Sequence, residues 1–86
     1  MNKEDVLIWA CDNNQLEIVR LLLDNGANVD ACDGYALAYA SYKGNLEVVK
    51  LLLDRGANIH ACDNQALRCA IQRGHTEIVK LLKSRM

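Results

Sequence analysis

One helix-forming segment occurs twice in this chain and begins a third time. Residues 16–28 read LEIVRLLLDNGAN, residues 46–58 read LEVVKLLLDRGAN, and TEIVKLL starts at Thr76. The offset is 30 residues, and the segments 5–34 and 35–64 are identical at half of their aligned positions. Such a repeat predicts a row of similar structural units, because one unit of this size cannot bury its own apolar side and must stack against the next.

Each unit is predicted to contain two helices and a loop. The first helices are DVLIWACD, YALAYASY and QALRCAIQ, in which a leucine is followed three residues later by a small alanine that permits close helix packing. Asn45 and His75 mark the start of the second helices, and Gly26 and Gly56 end them with a left-handed cap. The loops that follow, GANVDACDGY and GANIHACDNQ, are rich in turn formers. We expect Asp33 and Asp63 to be the N-caps of the next first helices.

The run GNLEVVKLLLDRGANI, from Gly44 to Ile59, resembles the signature half of the ankyrin repeat, and the resemblance extends from about Asp5 to Leu82. It implies an all-α, ankyrin-type solenoid of three stacked helix-turn-helix repeats joined by short projecting loops. The repeats would form a single domain over residues 1–86, with repeat 1 at about 5–34, repeat 2 at about 35–64 and repeat 3 at about 65–86. Two features depart from the family pattern: the unit has 30 residues instead of about 33, and YALA and QALR replace the usual Thr-Pro-Leu-His start.

The same resemblance implies a non-catalytic module that binds a partner protein through its concave face and loop tips. The family's variable contact positions correspond here to Asp12, Asn13, Asp33, Gly34, Tyr35, Tyr42, Lys43, Asn64, Gln65, Arg68, Gln72 and Arg73. Arg68 has two interpretations, a hydrogen bond to a neighbouring loop or a contact with the partner. Tyr39 is expected to pack inside, because Trp9 and Cys69 occupy its place in the other units.

Composition narrows the classes of partner. With 51% apolar and 24% charged residues in a chain of 86, we expect one soluble globular domain. The net charge of -1 argues against a nucleic-acid partner, and no apolar run reaches the length that spans a membrane. The charge is uneven, since residues 1–43 carry three basic and seven acidic side chains and residues 44–86 carry seven and four. This asymmetry could orient a partner or a second copy of the chain head to tail.

Neither a cofactor, a metal nor catalysis is expected. Cys32 and Cys62 are equivalent residues of stacked repeats, about 8 to 10 Å apart, which exceeds the roughly 7 Å that a disulfide allows. Cys11 and Cys69 are predicted to be small buried apolar residues, so four unpaired thiols would suit a reducing intracellular compartment, cytoplasmic or nuclear. No Cys-x-x-Cys pair, phosphate-binding loop or nucleophile motif is present, and His75 is expected to make a hydrogen bond at a helix start.

A second hypothesis belongs to another class. The chain could be a structural or designed scaffold element without a dedicated ligand, monomeric or weakly self-associating through its N-terminal repeat. Lys83, Ser84 and Arg85 give the third unit the polarity of a C-terminal cap, whereas the first unit keeps Val6, Ile8 and Trp9.

Overall fold

The computed structural model describes residues 2–86. Within them the chain forms helices and no strand. The helices are α1 (Lys3–Asp12), α2 (Leu16–Asp24), α3 (Ala31–Lys43), α4 (Leu46–Asp54), α5 (Ala61–Gln72) and α6 (Thr76–Ser84). None of them has the length and hydrophobicity needed to cross a bilayer.

The helices form two layers of a three-unit stack. The first helices pack in the order α1, α3, α5, the second helices pack in the order α2, α4, α6, and each first helix also contacts the second helix of its own unit. The stack measures 31 × 20 × 19 Å. The all-α solenoid of three helix pairs expected from the sequence is therefore confirmed.

The core lies between the layers and runs through all three units. Leu7 and Leu37 of the first helices are buried, and Val49 and Leu52 of the middle second helix have no solvent exposure. Each such side chain stabilises the fold by about 1.5–3 kcal/mol relative to an exposed one. The buried residues of all three units belong to one continuous hydrophobic cluster, so the units share a single core.

The turns between paired helices require a left-handed residue at Gly44 and Gly74, with φ of 79° and 73°. The next residues, Asn45 and His75, begin the second helices as predicted, but their side chains do not cap those helices. Asn45 Nδ2 donates to the carbonyl of Cys11 at 2.7 Å, and His75 Nε2 lies 2.8 Å from the carbonyl of Tyr42. The expected role of His75 at its own helix start is therefore wrong: its ring links the second unit to the third.

The loops that project from the stack contain an unexpected left-handed turn. Residues 32–34 and 62–64 all have positive φ, so the regular part of each first helix begins only at Tyr35 and Gln65. Asp30 and His60 directly precede α3 and α5, and their side chains make no capping hydrogen bond. The prediction of Asp33 and Asp63 as N-caps is wrong because both lie inside the left-handed turn.

Consecutive loops are joined by two hydrogen bonds. Cys62 Sγ donates to the carbonyl of Asp33 at 3.5 Å. Asp30 Oδ1 accepts from the backbone N–H of Asn58 at 2.8 Å. The first unit has no preceding loop within the described residues, and Glu4 Oε2 takes that role by accepting from the N–H of Asn28 at 3.1 Å. The two projecting loops, residues 26–34 and 56–64, which we call the fingers, are thus linked by the carboxylate of Asp30, and the first finger is linked to α1 by the carboxylate of Glu4.

The second helices are also linked at their C-terminal ends. Arg55 Nη2 lies 2.7 Å from Asp24 Oδ1, and Arg85 Nη2 lies 3.1 Å from Asp54 Oδ1. Both are largely exposed ion pairs, and each contributes about 0–1 kcal/mol to stability.

Candidate functional site

A groove lies between the first helices of the second and third units. Its volume is about 300 Å³ and it is lined by Tyr35, Ala38, Tyr39, Tyr42, Gln65, Cys69 and Gln72. We call it the aromatic groove. Four of the residues predicted from the sequence are brought together there, namely Tyr35, Tyr42, Gln65 and Gln72.

The three tyrosines share one side of α3 because they are four and three residues apart, close to the helical period. The rings of Tyr35 and Tyr39 meet edge to face, with centroids 5.7 Å apart and an interplanar angle of 64°. This geometry is favourable for aromatic pairs and holds both rings while about two fifths of each side chain stays exposed. The small Ala38 lies beside them and leaves room for the groove.

Tyr39 was predicted to pack inside, and this prediction is wrong. Its side chain is 41% exposed, and the equivalent Trp9 is 48% exposed. The place that these residues share in the repeat therefore faces solvent, not the core. The spacing of Tyr39 from Tyr35 and Tyr42 was the signal for this, because the three residues fall on one face of the helix.

Tyr42 closes one end of the groove together with a cation. The guanidinium carbon of Arg73 lies 4.7 Å from the centre of the Tyr42 ring. One unit earlier, Lys43 Nζ lies 3.6 Å from Asp12 Oδ1. Since Asp12 is equivalent to Tyr42 and Lys43 to Arg73, the four predicted contact residues form two matching links between adjacent units.

The remaining predicted contact residues lie outside the groove. Asn13 and Asp33 are exposed, the side chain of the former donating to the carbonyl of Trp9 at 2.8 Å. Asn64 Oδ1 lies 2.6 Å from His60 Nδ1. Gly34 is buried, and a Cβ there would lie 2.9 Å from Cβ of Ala61. Gly34 therefore permits close packing of two fingers, which argues against its predicted role as an exposed contact.

Arg68 is held by its own finger. Its Nε donates to the carbonyl of Asp63 at 3.0 Å and its Nη2 donates to the carbonyl of Cys62 at 2.9 Å. These bonds satisfy carbonyls of the left-handed turn, which favours the structural interpretation of Arg68. A contact between Arg68 and a partner stays a prediction.

The thiols differ in environment. Burial raises the pKa of the Cys11 thiol to about 12, so it stays neutral and unreactive in the folded chain. Cys69 was predicted to be buried but is only partly so, because it lies on the wall of the groove. Cys32 and Cys62 are exposed free thiols. Among residues 2–86 no three His, Cys, Asp or Glu side chains are grouped so as to hold a metal ion.

Comparison with known proteins agrees with the repeat pattern. A search of curated proteins found no match. The family described as ankyrin repeats, in three copies, matches residues 1–63, which is more than half of the chain. Together with the three stacked helix pairs, this match shows that the chain belongs to the ankyrin repeat family.

Proposed function

We propose that this chain is a non-catalytic module that binds a segment of another protein along its first helices, with the aromatic groove at the centre. Ankyrin repeats are in general protein–protein interaction modules. The observation that carries the finer proposal is the set of three half-exposed tyrosines on one face of α3. A tyrosine left exposed in a monomer retains apolar area that a partner can bury.

The chemistry of the groove suits a peptide segment. Tyrosine offers a large apolar ring at a low cost in conformational entropy, and its hydroxyl can donate or accept. Gln65 and Gln72 stand on the opposite wall, and each carries an amide that can both donate to and accept from a partner backbone. An apolar side chain of the partner would pack against the tyrosine rings in the groove while the partner's backbone bonds to the glutamines.

Two further observations support a protein partner and a non-catalytic role. With a net charge of -1, the chain has no general excess of the basic residues that bind the phosphate backbone of a nucleic acid. Both histidines are engaged in hydrogen bonds, His75 with the carbonyl of Tyr42 and His60 with Asn64, which argues against a role as a general base. We place the chain in a reducing intracellular compartment as part of the same proposal, since the exposed Cys32 and Cys62 would otherwise be open to oxidation.

Site-specific cross-linking tests the proposal. A photoreactive phenylalanine in place of Tyr39 reports what enters the groove, and the same residue in place of Lys50, which is exposed on α4, serves as the matched control. In an extract of the source organism, we expect a discrete cross-linked protein from the groove position and none from the control position. The Tyr35→Ala variant of the groove probe should lose this product.

Two results would contradict the proposal. One is the same products from both positions, which would indicate random encounters. The other is a discrete product from the Lys50 position alone, which would place the binding surface on the second helices.

A further inference from the structure

We propose that two copies of this chain associate head to tail, with the outer face of the third unit packed on the outer face of the first unit of the second copy. This inference concerns the outer faces of the first and third units. It uses Gln72, which also lines the aromatic groove, but none of the three tyrosines. It rests on the burial of equivalent residues in the three units and on the distribution of charge along the stack.

The outer face of the third unit is identified by residues that are more exposed to solvent than their equivalents in the first and second units. Cys11 and Ser41 are fully buried in the first and second units, whereas the equivalent Ile71 is 56% exposed. Val19 and Val49 are likewise fully buried, and the equivalent Val79 is only partly so. These residues pack against the following unit wherever one is present. Ile71 therefore lies on a stacking surface that no described residue covers.

The outer face of the first unit shows the opposite trend. Leu21 is 60% exposed, and the equivalent Leu51 and Leu81 are partly buried. Leu22 is partly buried, and the equivalent Leu52 and Leu82 are fully buried. These residues of the second helix pack against the preceding unit. The two ends thus present the two halves of the apolar contact that already joins neighbouring units inside the chain.

Charge favours this pairing over any pairing of like ends. Residues 1–34 carry two basic and seven acidic side chains, residues 35–64 three and three, and residues 65–86 five and one. The net charges of the three units are therefore -5, 0 and +4, which sum to the total of -1. Because the units stack in this order, the two outer units of the stack have opposite charge. Two first units, or two third units, would repel each other.

The contact is made by the helices and not by the fingers. Glu4 and Lys3 already occupy the finger side of the first unit, through bonds to the N–H of Asn28 and the carbonyl of Asn25. Along the first helices, Asp12 is linked to Lys43 and Tyr42 to Arg73. The same series would continue with a third link between the two copies. In the same register Gln72 would face Asn13 of the second copy, and two side-chain amides can hydrogen-bond to each other.

Sedimentation equilibrium of the whole chain tests the proposal. The monomer has a mass of 9.6 kDa. We expect the weight-average mass to rise above this value as the protein concentration increases, and to rise less at high salt, because added salt screens the charged ends. A mass of 9.6 kDa at every concentration and salt level would overturn the proposal.

A pair of matched variants tests the head-to-tail arrangement itself. Ile71→Asp and Leu21→Asp each place a carboxylate in one half of the contact, at positions exposed enough that the helical circular dichroism should be unchanged. Each variant alone should be monomeric. An equal mixture should form a species of two chains and no larger one, since each variant keeps the half that the other has lost. Self-association of either single variant at the wild-type level would overturn the proposal, as would a mixture that stays monomeric.

The groove variant Tyr39→Ala separates this proposal from the proposed function. It should self-associate as the wild type does, because Tyr39 belongs to neither end. Loss of self-association in this variant would mean that the groove, and not the ends, joins the copies.

Discussion

The guanidinium of Arg73 stacks over the ring of Tyr42 with its central carbon 4.7 Å from the ring centre, at the place where Lys43 meets Asp12 one unit earlier. The same connection between adjacent repeats is therefore made by an ion pair in one case and by a cation–π contact in the other. The second form leaves an aromatic ring at the edge of the groove, so one residue serves both the stack and the proposed binding surface.

The Tyr42–Arg73 contact should be measurable in a double-mutant cycle. We expect Tyr42→Ala, Arg73→Ala and the double variant to give a coupling free energy of about 0.5–1 kcal/mol, as is typical of exposed cation–π pairs. Urea unfolding followed by circular dichroism measures it. A coupling indistinguishable from zero would show that the two side chains only lie near each other.

Gly44 and Gly74 offer a matched pair of substitutions. Both have positive φ, 79° and 73°, so alanine at either place should cost about 1–2 kcal/mol. A Cβ at Gly74 meets open space, whereas a Cβ at Gly44 would lie 2.6 Å from the ring of His75. Gly44→Ala should therefore also break the bond between His75 and the carbonyl of Tyr42 and cost about 1 kcal/mol more. Thermal unfolding compares them, and equal losses would argue that the His75 bond contributes nothing.

Ser41 is the clearest site for stabilisation. Its side chain is fully buried, and its hydroxyl has no hydrogen-bond partner among residues 2–86. Ser41→Ala removes an unpaired polar atom and should raise the free energy of unfolding by about 1 kcal/mol. The control is Ser84→Ala, whose hydroxyl is exposed and donates to the carbonyl of Leu81, and whose effect should stay within about 0.5 kcal/mol. A loss of stability in Ser41→Ala would mean that the hydroxyl is satisfied in solution.

Cys11 should impose a dependence on pH. Its thiol pKa is about 12 when folded, against an ordinary value of 9.0, so the unfolded chain releases this proton first. The corresponding stability is complete below pH 9.0 and is lost as the pH rises from there to about 12. Urea unfolding over this range should show a steeper decline for the wild type than for Cys11→Ala. Parallel declines would contradict the role of Cys11.

Alkylation offers a second measurement on the thiols. Cys32 and Cys62 are exposed and should react first in the folded protein, whereas the buried Cys11 should react only when the chain unfolds. Mass spectrometry after brief treatment with iodoacetamide distinguishes the sites. Early labelling of Cys11 would indicate that the contact between the first and second units opens readily.

Much of the fold could be predicted because the repeat carries it. The 30-residue offset, the leucines at equivalent places and the cap at Gly26 and Gly56 indicate helix pairs that must stack, whatever their exact contacts. These features depend on local periodicity and on backbone preference, and short segments of the sequence are enough to determine both. The tyrosines at the edge of the groove follow from the same helical period.

The partners that side chains find in a neighbouring unit could not be predicted in this way, because they lie about 30 residues away in the sequence. The distance between stacked units decided that His75 bonds to Tyr42 and that Gly34 is buried against Ala61. The sequence alone thus determined which units form and that they stack, through local backbone preference and the need to bury apolar surface. Only the tertiary structure decided which polar groups meet across the repeats, because hydrogen bonds depend on distances that no single repeat contains.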